Sequence, residues 1–170
     1  MTDSLPALAL GMEPTEYDIM TRPPRRKSEG IFARGLGFQA LLQGMMFGAI
    51  TLIAYFAGRF SIGGDHPEMG QTMAFSVLAF SQLVHAFNAR SSHSLFRIGF
   101  FSNRWMLGAF AVSVLLMCAV LFFPPLMQVF GLVALPLAEW EWIVGLSLAP
   151  LVLVELSKGI LFLKKKWVQK

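Results

Sequence analysis

The sequence predicts an all-α fold: an integral membrane helical bundle with four transmembrane helices behind an N-terminal half helix, forming one membrane domain over residues 1–170. Three observations carry this. The chain is 55% hydrophobic and only 14% charged, where soluble domains carry about 25% charged residues. Its charges sit in short blocks between long apolar stretches, the pattern expected when lipid is the solvent for those stretches. Those stretches do not alternate every second residue, as the strands of a closed barrel would. The competing assignment is a very hydrophobic soluble bundle, and the clustering of the charges argues against it.

The first span is predicted over about 36–58, without a charged residue. Arg59 to Gly70 reads as a polar turn containing Gly63, Gly64, Asp65, Pro67 and Glu68. A second span follows over about 72–89 and ends in Asn88-Ala-Arg-Ser-Ser-His-Ser94. The third covers about 105–123 and is stopped by Pro124-Pro125. The fourth runs over about 142–163 and closes at Lys164-Lys-Lys166. Each is near the ~20 residues that a helix needs to cross ~30 Å of hydrocarbon.

Orientation follows from the 14 Lys and Arg residues. Five precede the first span (Arg22, Arg25, Arg26, Lys27, Arg34), and three lie between the second and third (Arg90, Arg97, Arg104). Five more gather at the end of the fourth (Lys158, Lys164, Lys165, Lys166, Lys170). All of these share one side, and Arg59 alone lies on the other, so both long loops and the C-terminus are expected in the cytoplasm of a multi-pass cell-membrane protein. Trp105, Trp140, Trp142 and Trp167 fall near span ends, where amphipathic rings prefer the interface. The basic residues flank apolar spans instead of lining a helix face, so nucleic acid is not an expected partner, whereas the bilayer is. Cys118 is the single cysteine, which rules out an intrachain disulfide. No signal-peptide pattern opens the chain.

Residues 1–12 do not fit the pattern of full spans. Met1 to Gly11 is apolar enough for lipid, yet eleven helical residues reach only ~16 Å. The segment reads as the second half of a transmembrane helix, with the cytoplasmic loop 13–35 after it. Thr2 and Asp3 would then lie near mid-membrane, three residues before Pro6. A carboxylate there needs a partner, a cavity or an ion. A nearby proline frees backbone carbonyls, and hard cations take several oxygens. An ordinary solvated tail with a capping Thr or Asp fits the same residues, and residue pattern alone leaves both readings open.

Several motifs together resemble a known family. Thr2-Asp3-Ser4-Leu5-Pro6-Ala7-Leu8-Ala9-Leu10-Gly11 resembles the sixth membrane helix of calcium-transporting P-type ATPases. Asp18-Ile19-Met20-Thr21-Arg22-Pro23-Pro24-Arg25 is similar to the loop that follows it. Thr72-Met73-Ala74-Phe75, leading to Gln82 and Asn88, resembles the eighth helix. Asn103-Arg104-Trp105 and Glu155-Leu-Ser-Lys158 are similar to parts of the ninth and tenth. The chain most resembles the bacterial members.

The resemblance implies metal ligands at Thr2 and Asp3, with Gln82 a weak third where two-site pumps place an acidic residue. A neutral amide implies one calcium per cycle. The resemblance also implies calcium as the transported ion, although manganese favours oxygen ligands too. ATP and magnesium would act only in the complete parent, because no phosphorylation motif, nucleotide-binding region or actuator has room here. On this reading the chain is a C-terminal fragment that works with the remaining pump domains and helices and is not active alone. The alternative is a free-standing four-helix membrane protein acting as an assembly or regulatory partner.

Other residues carry structural expectations. His85, one turn from Gln82, is expected to hydrogen-bond between helices, and Asn88 to act as similar glue. Glu155 and Lys158 are expected to pair, with Lys158 reaching water. Glu13, Glu16 and Asp18 are read either as an acidic group that attracts cations or as a solvated loop countered by Arg22 to Lys27. Gly44 and Gly48 have the spacing of a close helix contact. His66 and His93 lie in loops on opposite sides and cannot share a metal.

Overall fold

The computed structural model describes residues 4–13, 20, 30, 35–61, 63–90 and 102–168, with side chains described as far as 159. It holds six described helices: α1 (Ser4–Gly11), α2 (Leu36–Phe60), α3 (Pro67–Ala89), α4 (Arg104–Phe122), α5 (Pro124–Phe130) and α6 (Leu137–Val168). There is no strand among the described residues. The architecture is an all-α membrane helical bundle.

The helix ends follow from local chemistry. Between α2 and α3 the chain turns at Gly63, whose φ of 68° is a left-handed conformation that glycine adopts freely. Arg59 closes this turn, donating through Nε and Nη2 to Asp65, the latter bond at 2.9 Å. These bonds hold the Asp65 carboxyl below the usual carboxylate range. Pro67 then starts α3, where its missing N–H costs nothing. Asn103 caps α4, its Oδ1 accepting from the Met106 N–H at 3.0 Å. Phe123 is extended because the residue before a proline avoids helical backbone. Pro124-Pro125 was expected only as a stop, and it also begins α5. That short helix ends at Gly131 in a left-handed cap, φ 64°.

Helix α3 is the centre of the bundle. It packs along α2 and α6 and also touches α4 and α1. Met73 and Val77 meet Ile50 and Ala54 of α2 and Ile143 of α6. Ala79 and Leu83 meet Met117 and Leu121 of α4. Phe87 meets Ala9 of α1 and Met106 of α4. The outward faces of α2 and α4 are apolar instead, with Phe38, Leu52, Phe56, Val112 and Leu115 exposed. Apolar residues that face outward in this way suit a hydrocarbon solvent.

Three helices are long and apolar enough to cross a membrane: α2, α4 and α6 over Leu137–Gly159. The predicted second span lies in α3, which has 23 residues but falls outside this set. The reason is its composition, since Gln71, Gln82, His85 and Asn88 make it less apolar. Eleven of its residues are buried, among them Thr72, Ser76, Ser81 and Asn88, so protein rather than lipid surrounds much of it.

Close packing occurs at glycines other than those expected. Gly44 and Gly48 are exposed, and a methyl group added to either would meet nothing within 4 Å. The near approach is at Gly58 of α2 and at Gly70 of α3, each close to the facing helix. A Cβ at Gly70 would sit 2.6 Å from the Tyr55 carbonyl oxygen, and one at Gly58 would sit 2.6 Å from Met73 Sδ. The four-residue spacing identifies a strip that allows contact, and a helix has only one face toward its neighbour.

Candidate functional site

Thr2 and Asp3 lie outside the described residues. What is described is the helix that follows them. Pro6 and Ala9, three residues apart on one face of α1, are buried, whereas Leu8 is 71% exposed. Ala9 touches Phe87 of α3 and Met106 of α4. Five residues before Ala9 is Ser4, and five before Phe87 is Gln82. Both helices end at the same face of the bundle, because Glu13 just beyond α1 meets Arg90 just beyond α3. Each step back is ~7.5 Å along its helix. Gln82 is half-buried on α3.

The residues around Gln82 are held in ways that the sequence only partly predicts. His85 was expected to hydrogen-bond across helices, but its Nδ1 has no partner. Its ring instead stands edge-on to Phe47 of α2, with centroids 5.1 Å apart. Asn88 does act between helices: its Nδ2 donates to the Pro150 carbonyl of α6 at 3.4 Å. Pro150 interrupts α6 internally, where it leaves a carbonyl one turn earlier without its helical donor. Lys158 pairs with Glu155 at 3.7 Å as expected. It does not reach water freely: its Nζ donates to the Asn88 carbonyl oxygen at 3.0 Å, and its side chain is 14% exposed.

At the Arg90 face a polar cluster joins three elements. Arg90 donates from Nε to Glu13 Oε2 at 3.0 Å and from Nη2 to Glu13 Oε1 at 2.7 Å. The same Nη2 reaches Ser102 Oγ at 2.6 Å. Asn103 Nδ2 donates to Glu13 Oε2 at 2.6 Å and to the Ala9 carbonyl of α1 at 3.2 Å. The Arg90 side chain is fully buried, and Glu13 is 18% exposed. Burial pushes the Glu13 carboxyl up, but the hydrogen bonds from Arg90 and Asn103 and the Arg90 charge outweigh it and hold it below its ordinary value.

Glu13 is therefore neither the cation attractor nor the solvated loop residue that the sequence suggested. Glu16, Asp18 and Arg22 to Lys27 lie outside the described residues. The sequence signal for Asn103 was available, since an Asn directly before a helix start is a cap. The Glu13–Arg90 pairing had no such signal, because its partners are 77 residues apart.

At the opposite end of α3, Thr72 Oγ1 donates to the Glu68 carbonyl at 2.9 Å and accepts from the Val133 N–H at 3.0 Å, which clips the α5–α6 connection to the bundle. Glu139, which the sequence reading did not single out, is buried in the first turn of α6, where a carboxylate is favoured by the helix dipole. No group of three His, Cys, Asp or Glu among the described residues could hold a metal ion.

The profile of the family described as "Cation transporting ATPase, C-terminus" matches residues 1–160. The chain belongs to this family. Among similar proteins, calcium-transporting ATPase 1 of Bacillus cereus is 40% identical, over 93% of this chain and 19% of that protein. Calcium-transporting ATPase of Bacillus subtilis is 38% identical, over 98% of this chain and 18% of that protein. The mouse calcium-transporting ATPase type 2C member 2 is 34% identical, over 92% of this chain and 16% of that protein. This cation-transporting ATPase C-terminal chain thus spans less than a fifth of the length of the curated relatives it matches. In this family member, the central position of α3 puts Gln82 on the helix that contacts every other long one.

Proposed function

We propose that this chain serves as the C-terminal membrane part of a calcium-transporting P-type ATPase. The observation that carries the reading is its 38–40% identity, over 93–98% of its length, to bacterial proteins named as calcium-transporting ATPases. In this reading α2, α3, α4 and α6 cross the membrane, and the C-terminus lies in the cytoplasm with the basic loops. Residues 1–170 form a single membrane domain that works with the pump's remaining helices and catalytic domains, where ATP and magnesium act.

The chemistry falls to the residues just before α1 in the sequence. Calcium takes six to eight oxygens at ~2.3–2.6 Å, and carboxylate and hydroxyl oxygens suit it. Asp3 supplies the charge, Thr2 a neutral oxygen, and Gln82 an amide oxygen that adds no charge. The equal five-residue steps from the Ala9–Phe87 contact support a comparable depth for the start of α1 and Gln82. Manganese shares the preference for oxygen, so the ion itself is part of the test.

The test is calcium-stimulated ATP hydrolysis by the assembled pump in membrane vesicles, with calcium and manganese titrated separately. Asp3→Asn is expected to abolish the stimulation, and Gln82→Ala to alter half-saturation far less. Calcium stimulation that survives Asp3→Asn would remove Asp3 from the site. Stimulation by manganese alone would replace calcium as the cargo.

A further inference from the structure

Helix α1 has eight residues, and its buried face is narrow: Pro6 and Ala9 are covered while Leu8 stands outward. In lipid, apolar contact gives little drive for one helix to hold a set register on another, because lipid tails are as apolar as leucine. Something more directional is needed to hold so short a helix. It is found just beyond its last turn. Glu13 is gripped by the Arg90 fork from the end of α3 and by Asn103 from the start of α4. Asn103 also bonds the Ala9 carbonyl within α1 itself, so the grip acts on the helix backbone and not only on the side chain beyond it.

This arrangement tolerates little displacement. The fork needs both carboxylate oxygens in plane with the guanidinium. Arg90 has no exposed side-chain surface, so a slipped pair would lose a charge-assisted bond that water does not replace. Asn103 is fixed from its other side, since its Oδ1 caps α4 through the Met106 N–H. A slip of one residue along α1 moves a ligand by ~1.5 Å and turns it by ~100°. The range of calcium–oxygen distances is only ~0.3 Å wide. A device that sets register is therefore a device that sets affinity.

We infer that Arg90 and Asn103, by holding Glu13 and the Ala9 carbonyl, are positioning residues for the ion site: they fix the register and rotation of α1 against α3, the helix that carries Gln82. This rests on the ion-site reading above. Neither residue touches the ion. Each acts through α1, so its loss weakens ion binding while the catalytic steps at saturating ion remain.

The experiment measures half-saturating calcium and maximal rate separately, in vesicles carrying the assembled pump, together with its thermal stability. Energetic coupling between two sites commonly changes an affinity by about 5- to 150-fold. Arg90→Ala is expected near the low end, raising half-saturating calcium roughly fivefold with the maximal rate held within about twofold. Arg90→Lys keeps the charge without the fork and is expected to recover part of the affinity. Asn103→Ser keeps a good helix cap but removes the bonds to Glu13 and Ala9, so it isolates positioning from folding. It too is expected to raise half-saturating calcium.

If Arg90→Ala does not accumulate, Asn103→Ser decides alone. Unchanged half-saturating calcium in the variants that accumulate overturns the inference, whatever happens to the maximal rate or the stability; the cluster is then only a fold staple. Wild-type pump without calcium stimulation, or with stimulation that survives Asp3→Asn, removes the ion-site reading and this inference with it. Calcium stimulation lost in Asp3→Asn but unmoved by Arg90→Ala and Asn103→Ser removes the inference alone.

Discussion

The two ends of α3 are held by different physics. Near Pro67 the helix meets α2 through backbone and glycine: Gly70 lies against the Tyr55 carbonyl, and Gly58 lies against Met73 and Met69. Near Ala89 it is held by charge and amide groups: Arg90 to Glu13, Asn88 to Pro150, and Lys158 to the Asn88 carbonyl. The difference shows what each kind of contact can specify. Small residues let two helices come close and gain dispersion, and they set a distance. Directional polar bonds set a register, because a displaced donor in a low-dielectric setting loses most of its bond and gains no water in return. The end that sets the register is also the end that α1 joins.

The largest expected effect breaks the polar end. Arg90→Ala leaves the Glu13 carboxylate mostly buried with Asn103 as its remaining described donor, and removing one partner of a buried pair costs about 3–5 kcal/mol. The measurement is the thermal midpoint of the purified protein in detergent micelles at neutral pH. A midpoint within a degree or so of wild type would mean that this end contributes no more than a surface ion pair does. Acid sharpens the test. The Glu13 carboxyl lies below its ordinary value in the folded protein. Its contribution is therefore fully present above the ordinary carboxylate pKa, about 4.3, and is lost as pH falls through the lowered value. The advantage of wild type over Glu13→Gln is expected to be constant between about pH 6 and 8 and to shrink below about pH 4.3. An advantage that grows on acidification would reverse the assigned sign.

The glycine end is expected to give a smaller and graded effect. At Gly70 an added methyl would sit 2.6 Å from a backbone carbonyl oxygen, which moves only if α2 moves. Overpacking of this kind typically costs about 1–3 kcal/mol. At Gly58 the nearest atom is the Met73 sulfur, also at 2.6 Å, on a side chain that can turn aside. Gly70→Ala is thus expected to lower the thermal midpoint more than Gly58→Ala does. The opposite order would show that Met73, which has no exposed surface, is locked by its neighbours and no longer adaptable.

How far the sequence reaches follows the same division. Long apolar spans are legible because lipid imposes one requirement on about twenty consecutive residues, and the predicted stretches 36–58, 105–123 and 142–163 all lie within or nearly within α2, α4 and α6. The stretch 72–89 lies in α3, a helix with more polar residues, and those residues mark it as the one surrounded by protein. Which faces meet was not legible. Gly44 and Gly48 carry the contact spacing, yet Gly58 and Gly70 make the contact. Glu13 read as one member of an acidic loop because its partners Arg90 and Asn103 come from other elements. Lys158 read as reaching water, since its distance from the Asn88 carbonyl cannot be counted along the chain. The proposed ligands Thr2 and Asp3 rest on resemblance, and α1 behind them is what the fold adds.

The smallest expected effect tests whether the glycine end of the comparison is correctly located. Gly44 lies on an exposed face of α2 with nothing within 4 Å of an added methyl. A glycine inside a helix gives up about 0.5–1 kcal/mol relative to alanine, through the backbone freedom it loses on folding. With no steric term to oppose that gain, Gly44→Ala is expected to leave the thermal midpoint unchanged or raise it slightly. The same substitution at Gly70 gains the same propensity and loses far more to the Tyr55 carbonyl, so the sign should differ between two glycines of neighbouring helices. A midpoint that falls in Gly44→Ala would place a packing partner against this face of α2, and the four-residue glycine spacing would then mark a real contact after all.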